Sequence, residues 1–511
     1  MPRLAVPRLA MPRFALPGAV LLALAVVFVI SWVTQPGPTR AAAQASQSAA
    51  VTSITRSCPP AAPGSAAPQI SMIALPGSAG STGTTSGAAT LSPVLAAPAA
   101  STGGKDSSGA QASSNGTPAA KTKTVRPVTV TAAGTVATMA VPGGGGAAVA
   151  ATGRMAEGFE AEQTDASGTG LVSCSHPGSD MWFVGTGQAT GASQIVLYLM
   201  NTGNITASAD VTILTDTGQQ NGLNSALTVA PNQFLTENIT PYVQGSQALA
   251  LRVQTNAGQV AASVWEGGSG GGAWLPQASA PATSLVIPGL TVASSAAKLF
   301  VVVPGTSDAQ LKVTAYTPAG AANQFPGAPV DASANAATPV GLTSLGASAA
   351  GLKLTSNVPI VAGVLVPGSG FGSFTTAVPP ITEQGVVAGN PATRGVTIGL
   401  LLTAPGTAAR ASISVISADG SVTTPAGDQS VTVTAGHTLA VTIPRPAQDS
   451  RQPFAIVITP KPGSGPLYAA RAVTSGSGGL SAPLSALLPV ASAMTAITLP
   501  PAQNSYPAVL P

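Results

Sequence analysis

Residues 260–272 read VAASVWEGGSGGG, a strand-like apolar run that stops on a Gly-Ser-Gly turn. The same writing returns at 361–372, VAGVLVPGSGFG, and at 469–479, AARAVTSGSGG, which places Ser269, Ser369 and Ser477 in equivalent turns. Each turn is followed by an apolar return that contains proline. An earlier stretch, AAVAATG at 147–153, fits as a fourth copy without the Gly-Ser-Gly. The spacing, roughly 100 residues, is too long for a solenoid repeat or a propeller blade, so the chain reads as a duplicated domain.

Working outward from the first of these turns, short strands are expected at 182–185, 195–200, 209–214, 227–230, 233–239, 248–254 and 260–265. Turn residues at 201–204 and 216–218 separate them. Dense short strands with turn chemistry between them are the signature of a sandwich or barrel. Composition agrees. Charged residues make up 7% of the chain, with 58 glycines and 46 prolines, against a charged fraction of about 25% in an ordinary soluble domain. The fold class expected is all-β: tandem immunoglobulin-like β-sandwich modules after one N-terminal transmembrane helix. The alternative is a single closed, propeller-like β assembly of four repeats, and pairing between distant copies would decide for it.

The N-terminus carries Arg3, Arg8 and Arg13 ahead of an uncharged run, 18–34. Seventeen residues rise about 25 Å as a helix, close to the minimum for a bilayer core. Basic residues before such a run stay cytoplasmic, which sends the remainder outside. The organisation expected is therefore a basic cytoplasmic segment 1–17, a transmembrane signal anchor 18–34 and a linker 35–56. A degenerate β module 57–172 with a Gly/Ser-rich insertion follows, then β modules at 173–292 and 293–390, and a last module with its tail at 391–511. The expected location is the cell membrane, single-pass with the C-terminal part outside. The alternative is secretion after cleavage behind the small-x-small site at 43–45.

Four of the twenty basic residues precede residue 46, where there is no acid; the rest of the chain is formally neutral. Without a basic cluster the chain is a poor partner for nucleic acid. The partners expected are the membrane, through the N-terminal helix, and cell-wall polysaccharide or other envelope proteins.

The rarest residues gather in one stretch, CSHPGSDMWFVGTG at 174–187. With the Cys-Pro at 58–59, GFEAEQ at 158–163, and the Asn-Thr-Gly and Asp-x-Gly turns at 201–203 and 216–218, it resembles the actinobacterial family of domain of unknown function 5719. The resemblance covers about residues 55–500, and its most specific part is the Cys-to-WFVG motif. It implies an exported, single-anchor actinobacterial protein. It implies no activity, so no catalytic residue is carried over.

The residues themselves point the same way. Cys58 and Cys174 are the only cysteines, and an exported pair favours a disulfide. In the chain-entropy picture a loop of that span contributes about 4–5 kcal/mol. His176 lies two residues from Cys174, but a Cys–His nucleophile also needs a third, orienting group, and none follows. His437 reads as a loop residue. Two histidines and no Cys-x-x-Cys give no metal site. The glycine runs at 143–146 and 267–272 lack the lysine and helix of a phosphate loop. Glu157, Glu160, Glu162 and Asp165, the only acidic cluster, read as a solvated face. Trp182 and Trp265 sit on apolar strands and read as core. Trp274, in a Gly-rich turn, is expected to be exposed and is the candidate for a glycan contact. No catalytic residue, metal or cofactor is expected. The function expected is that of a non-catalytic cell-envelope protein, an extracytoplasmic membrane-anchored scaffold or interaction module. The alternative is a cell-wall glycan-binding protein, and an envelope hydrolase comes last.

Overall fold

The computed structural model describes residues 47–499 apart from 76–85, 98–126, 142–144, 166–169, 222, 224–225, 269, 292–296, 326–328, 343–348, 369, 426 and 447–451. Ser269 and Ser369 of the expected turns, most of the Gly/Ser-rich insertion and the segment 18–34 thus lie outside the described residues. Two units separate: Met1–Ala49 with Ile497–Pro511, and Ala50–Ala496. Of the first, only the ends are described, where Gln47–Ala50 and Ala496–Leu499 form a two-stranded sheet. No helix among the described residues is long and apolar enough to cross a membrane. The single-pass placement is corrected on that finding.

The second unit is all-β, and one strand plan is written four times. The last copy shows it in full. Its eight main strands are Gly385–Asn390, Val396–Ala404, Ala409–Ile416, Val431–Val433, His437–Ile443, Phe454–Pro460, Tyr468–Ser475 and Leu484–Val490. They pair in the order first-sixth-third-fourth in one antiparallel sheet and fifth-second-seventh-eighth in the other. A core drawn from both sheets, including Leu400, Ile413, Ile456 and Val473, lies between them. Alternation along each strand sends every second side chain into that core.

The second copy repeats the plan from Asp180–Thr186 to Gly271–Leu275. The third runs from Ala282–Thr291 to Ser373–Thr376, with its sixth and seventh strands fused into Ala349–Val366. The first runs from Ser53–Cys58 to Leu171–Ser173. Copies two to four add a short hairpin strand after the third strand, at Gly218–Gln220, Gly320–Asn323 and Val422–Thr423. Copies three and four begin one strand earlier than the sequence repeat suggests. Ala282–Thr291, inside the expected 173–292 module, pairs with the third copy's Ala349–Val366.

The copies do not stand in line. The outer face of each first-sixth-third-fourth sheet packs on the outer face of the next copy's fifth-second-seventh-eighth sheet. Trp182, Val184 and Ala250 of copy two meet Phe300, Val302 and Val361 of copy three. Gly289 of copy three comes against Ala470 and Leu487 of copy four, and Gly351 against Thr403. Val94 of copy one meets Val196, Tyr198 and Trp265 of copy two. There the backbones also join, since Ala89–Ala96 runs parallel to Gln233–Asn238. The cycle then closes: Val386, Ala388, Ala455 and Val457 of copy four pack on Ile73, Leu75 and Val136 of copy one. The tandem array is therefore corrected to a closed cycle of the four copies. Within it strands of copies one, two and four, with residues 377–379 of copy three, surround a central cavity.

Candidate binding site at the centre of the four copies

The first strand of copy one alternates into Arg56, and the seventh presents Glu160 and Glu162 two residues apart, hence on one face. The seventh strand of copy four brings Arg471. With Cys174, His176 and residues 377–379 of copy three, these line a central cavity of about 260 Å³ to which all four copies contribute. The acidic cluster is thus not a solvated face: Glu160 and Glu162 are buried, each paired with a buried arginine.

The two pairs differ in reach. Arg56 binds Glu160 within copy one, and its Nη2 also donates to the Phe159 carbonyl at 3.5 Å. Arg471 spans two copies. Its Nη1 lies 2.9 Å from Glu162 Oε2 and donates to the Gly389 carbonyl at 3.0 Å and to Asn390 Oδ1 at 3.2 Å. The Gly389 N–H in turn donates to Glu162 Oε2 at 2.9 Å. Asn390 is fixed by donating to the carbonyls of Val387 and Phe454. Arg471 is fully buried, yet its Nε and Nη2 have no partner among the described residues, nor has Arg56 Nε.

Burial raises the Glu160 carboxyl from 4.5 to about 7, with Arg56 pulling it down and the Glu162 charge pushing it up. The walls around His176 and the Arg56 charge lower its imidazole from the ordinary 6.5, although the residue keeps a solvent-exposed side. Glu266, on the seventh strand of copy two, is fully buried outside the cavity. Its Oε2 accepts from the Thr186 N–H at 3.1 Å and hydroxyl at 2.9 Å, while Oε1 has no partner. Burial outweighs those two hydrogen bonds and raises its carboxyl to about 8.

Cys58 and Cys174 form a disulfide with Cα atoms 4.3 Å apart. It joins the first strand of copy one to the residue just past its eighth, so it fastens the two sheets along their inner edge. Ser57 and Ser175 extend the fastening with reciprocal backbone hydrogen bonds of 2.7 and 3.0 Å. The bond consumes the thiol that a Cys–His nucleophile would need. His437 lies apart from the cavity, its Nδ1 2.8 Å from the Ala435 carbonyl.

Trp274 departs from expectation. It is only 8% exposed and meets the Tyr198 ring at a centroid distance of 5.7 Å. It sits in a strand, not a free turn, because Gly271–Leu275 returns along Ala261–Gly268 and pairs Trp274 with Trp265. The neighbouring glycines are there for Trp265. A Cβ on Gly267 would lie 1.9 Å from its Cη2, and one on Gly272 would lie 2.2 Å from its Cζ2, so the indole rests on bare backbone.

A second, larger cleft of about 720 Å³ opens where the seventh-to-eighth-strand turns of the four copies meet. Asp165, Trp265, Trp274, Phe371, Ser475 and Ser485 line it. The turns touch: a Cβ on Gly370 would lie 2.3 Å from the Gly270 carbonyl oxygen. Here lies the physical reason for the repeated glycine turns that mark the sequence. Among the described residues no group of three or more His, Cys, Asp or Glu is placed to hold a metal ion.

Sequence reasoning missed Arg56 and Arg471 altogether. The available signal was a charge inside an apolar strand, AARAVT at 469–474, in a chain with few charges. A family model described as family of unknown function (DUF5719) matches residues 128–444. No curated protein and no solved structure matches the chain.

Proposed function

The chain belongs to the family of unknown function DUF5719, and from that premise we propose that it is a non-catalytic, extracytoplasmic interaction protein of an actinobacterial cell envelope. One observation carries this reading. The large cleft is framed by equivalent turns from all four copies, so the whole cycle serves to present one composite surface. The disulfide supports an oxidising compartment. Each copy is read as an immunoglobulin-like module and the cycle as a propeller-like scaffold. The support for this is the paired antiparallel sheets and the closed packing. Fold alone assigns no activity; the composite cleft is what supports an interaction role.

A photo-crosslinking residue at position 371, in the cleft, tests the reading against one at Val422, an exposed site in the extra hairpin of copy four. Adducts with envelope components should concentrate at position 371. Equal labelling at both positions would end the proposal. The aromatic lining from Trp265, Trp274 and Phe371 beside Ser475 and Ser485 favours a second reading, a cell-wall glycan as ligand. Pull-down on peptidoglycan and arabinogalactan, with Phe371→Ala as the comparison, separates the two. Retention that the substitution abolishes supports the glycan; no retention removes it.

A further inference from the structure

The central cavity has a chemistry that the cleft does not explain. Arg471 is fully buried, and its Nη1 makes all of its polar contacts: hydrogen bonds to the Gly389 carbonyl and Asn390 Oδ1 and the ion pair with Glu162. The nitrogens left over, Nε and Nη2, are the two on one edge of the guanidinium. That edge is the fork that accepts both oxygens of a single carboxylate or phosphate. A buried donor without an acceptor is costly, and Arg471 Nε and Nη2 both lack one. Arg56 Nε, also unpartnered and buried, belongs to the same cavity wall. We propose that the central cavity is a binding site for a small oxyanion, held by the Nε–Nη2 edge of Arg471 with Arg56 as the second cation.

The cavity is large enough for such a group and for a few bonded atoms beyond it. Its remaining wall is apolar, with Val172, Phe183, Val378 and Leu488, which excludes water and strengthens a charge-assisted hydrogen bond. The charged and titratable groups that face the space are Arg56, Arg471, Glu160, Glu162 and His176. With Glu160 neutral, two arginines face one carboxylate, and the site is cationic. Once Glu160 ionises, near pH 7, that excess is cancelled. Burial and the Arg56 charge hold the His176 imidazole below its ordinary value. Anion binding should therefore weaken as pH rises from 6 to 8.

The test is calorimetric titration of the full chain at pH 6 with sodium acetate and, separately, sodium phosphate, against chloride at matched ionic strength. Saturable binding of acetate, of phosphate, or of both is expected, and the stronger arm identifies a carboxylate or a phosphate site. Arg471→Lys keeps the charge but not the fork and should weaken binding about tenfold or more. No saturable heat from either anion in the wild type overturns the proposal, and so does unchanged affinity in a folded Arg471→Lys. Glu160→Gln supplies an arm that leaves Arg471 intact. Wild-type acetate affinity should fall about threefold or more between pH 6 and 8, whereas the variant should hold its affinity. Parallel profiles for the two proteins would contradict the assignment.

Discussion

Two joints in the cycle invite comparison. Between copies two and three the contact is a greasy face: Trp182, Val184, Phe300, Val302 and Val361, all buried. Between copies four and one a smaller apolar patch is joined by a buried polar lock, in which Glu162 pairs with the Arg471 charge and accepts from the Gly389 N–H. The first joint connects copies that follow one another in the chain, so a short link already brings the right faces together. The closing joint must find its partner across 227 residues, the separation of Gly389 and Glu162. Apolar contact is non-directional and tolerates slippage, whereas a hydrogen-bonded ion pair is satisfied in one register only. The contrast teaches that closure is specified by polar chemistry, and adjacency by chain connectivity and burial.

The comparison can be strained in several ways. The largest effect should come from Cys174→Ser, which frees copy one along its inner edge, beside the closing joint. The loop entropy released amounts to about 4–5 kcal/mol. Urea unfolding should show a loss of that order, and limited proteolysis should cut copy one first; wild-type resistance would remove the disulfide from the account. Next comes Glu162→Ala, which leaves Arg471 buried and uncompensated. A loss of about 3–4 kcal/mol is expected in the same assay. A loss under about 1 kcal/mol would place this pair with ordinary exposed ones. At the apolar joint, Val302→Ala removes two buried methyl groups and should cost only about 1–2 kcal/mol. If it exceeded the effect of Glu162→Ala, the ranking of the two joints would be reversed.

The smallest effect is a slope with pH. The folded carboxyls of Glu160 and Glu266 lie at about 7 and about 8, raised by burial above the 4.5 of an exposed glutamate. Unfolding therefore releases their protons between pH 4.5 and those values. Their contribution to stability is at its best below pH 4.5 and declines as pH rises, by at most about 1.4 kcal/mol per pH unit for each group. Glu266→Gln should flatten the stability profile between pH 5 and 8, measured by thermal melts across that range. An unchanged slope would mean that Glu266 is ionised in the folded protein.

Much of the strand plan can be read in the chain, because period-two alternation and glycine turns are local signals. The runs 195–200 and 411–416 fall inside Gln194–Asn201 and Ala409–Ile416. The start of each copy was harder to place. The expected boundary at 292/293 cuts copy three after its first strand, Ala282–Thr291, and puts its second strand, Lys298–Val303, at the head of the module. An apolar strand buried on both faces carries no mark of its rank in a sheet. The closed packing was hidden for the same reason. Val184 and Val302 face a neighbouring copy, but in sequence they look like any core valine. Glu160 and Glu162 misled in the other direction, because four acids within nine residues suggest solvent, and their cations lie about 100 residues before and 300 residues after them.

Closure of copy four on copy one can be tested most directly by a designed cross-link. A Cβ built on Gly389 would lie 3.4 Å from the Cβ of Ser71, close to the spacing of a disulfide. In the double variant Ser71→Cys/Gly389→Cys, peptide mapping without reduction should recover the bond between 71 and 389, within one chain and beside the native Cys58–Cys174 bond. If both new thiols remain open to alkylation in the folded protein, copy four does not close on copy one, and the account of the cycle is wrong.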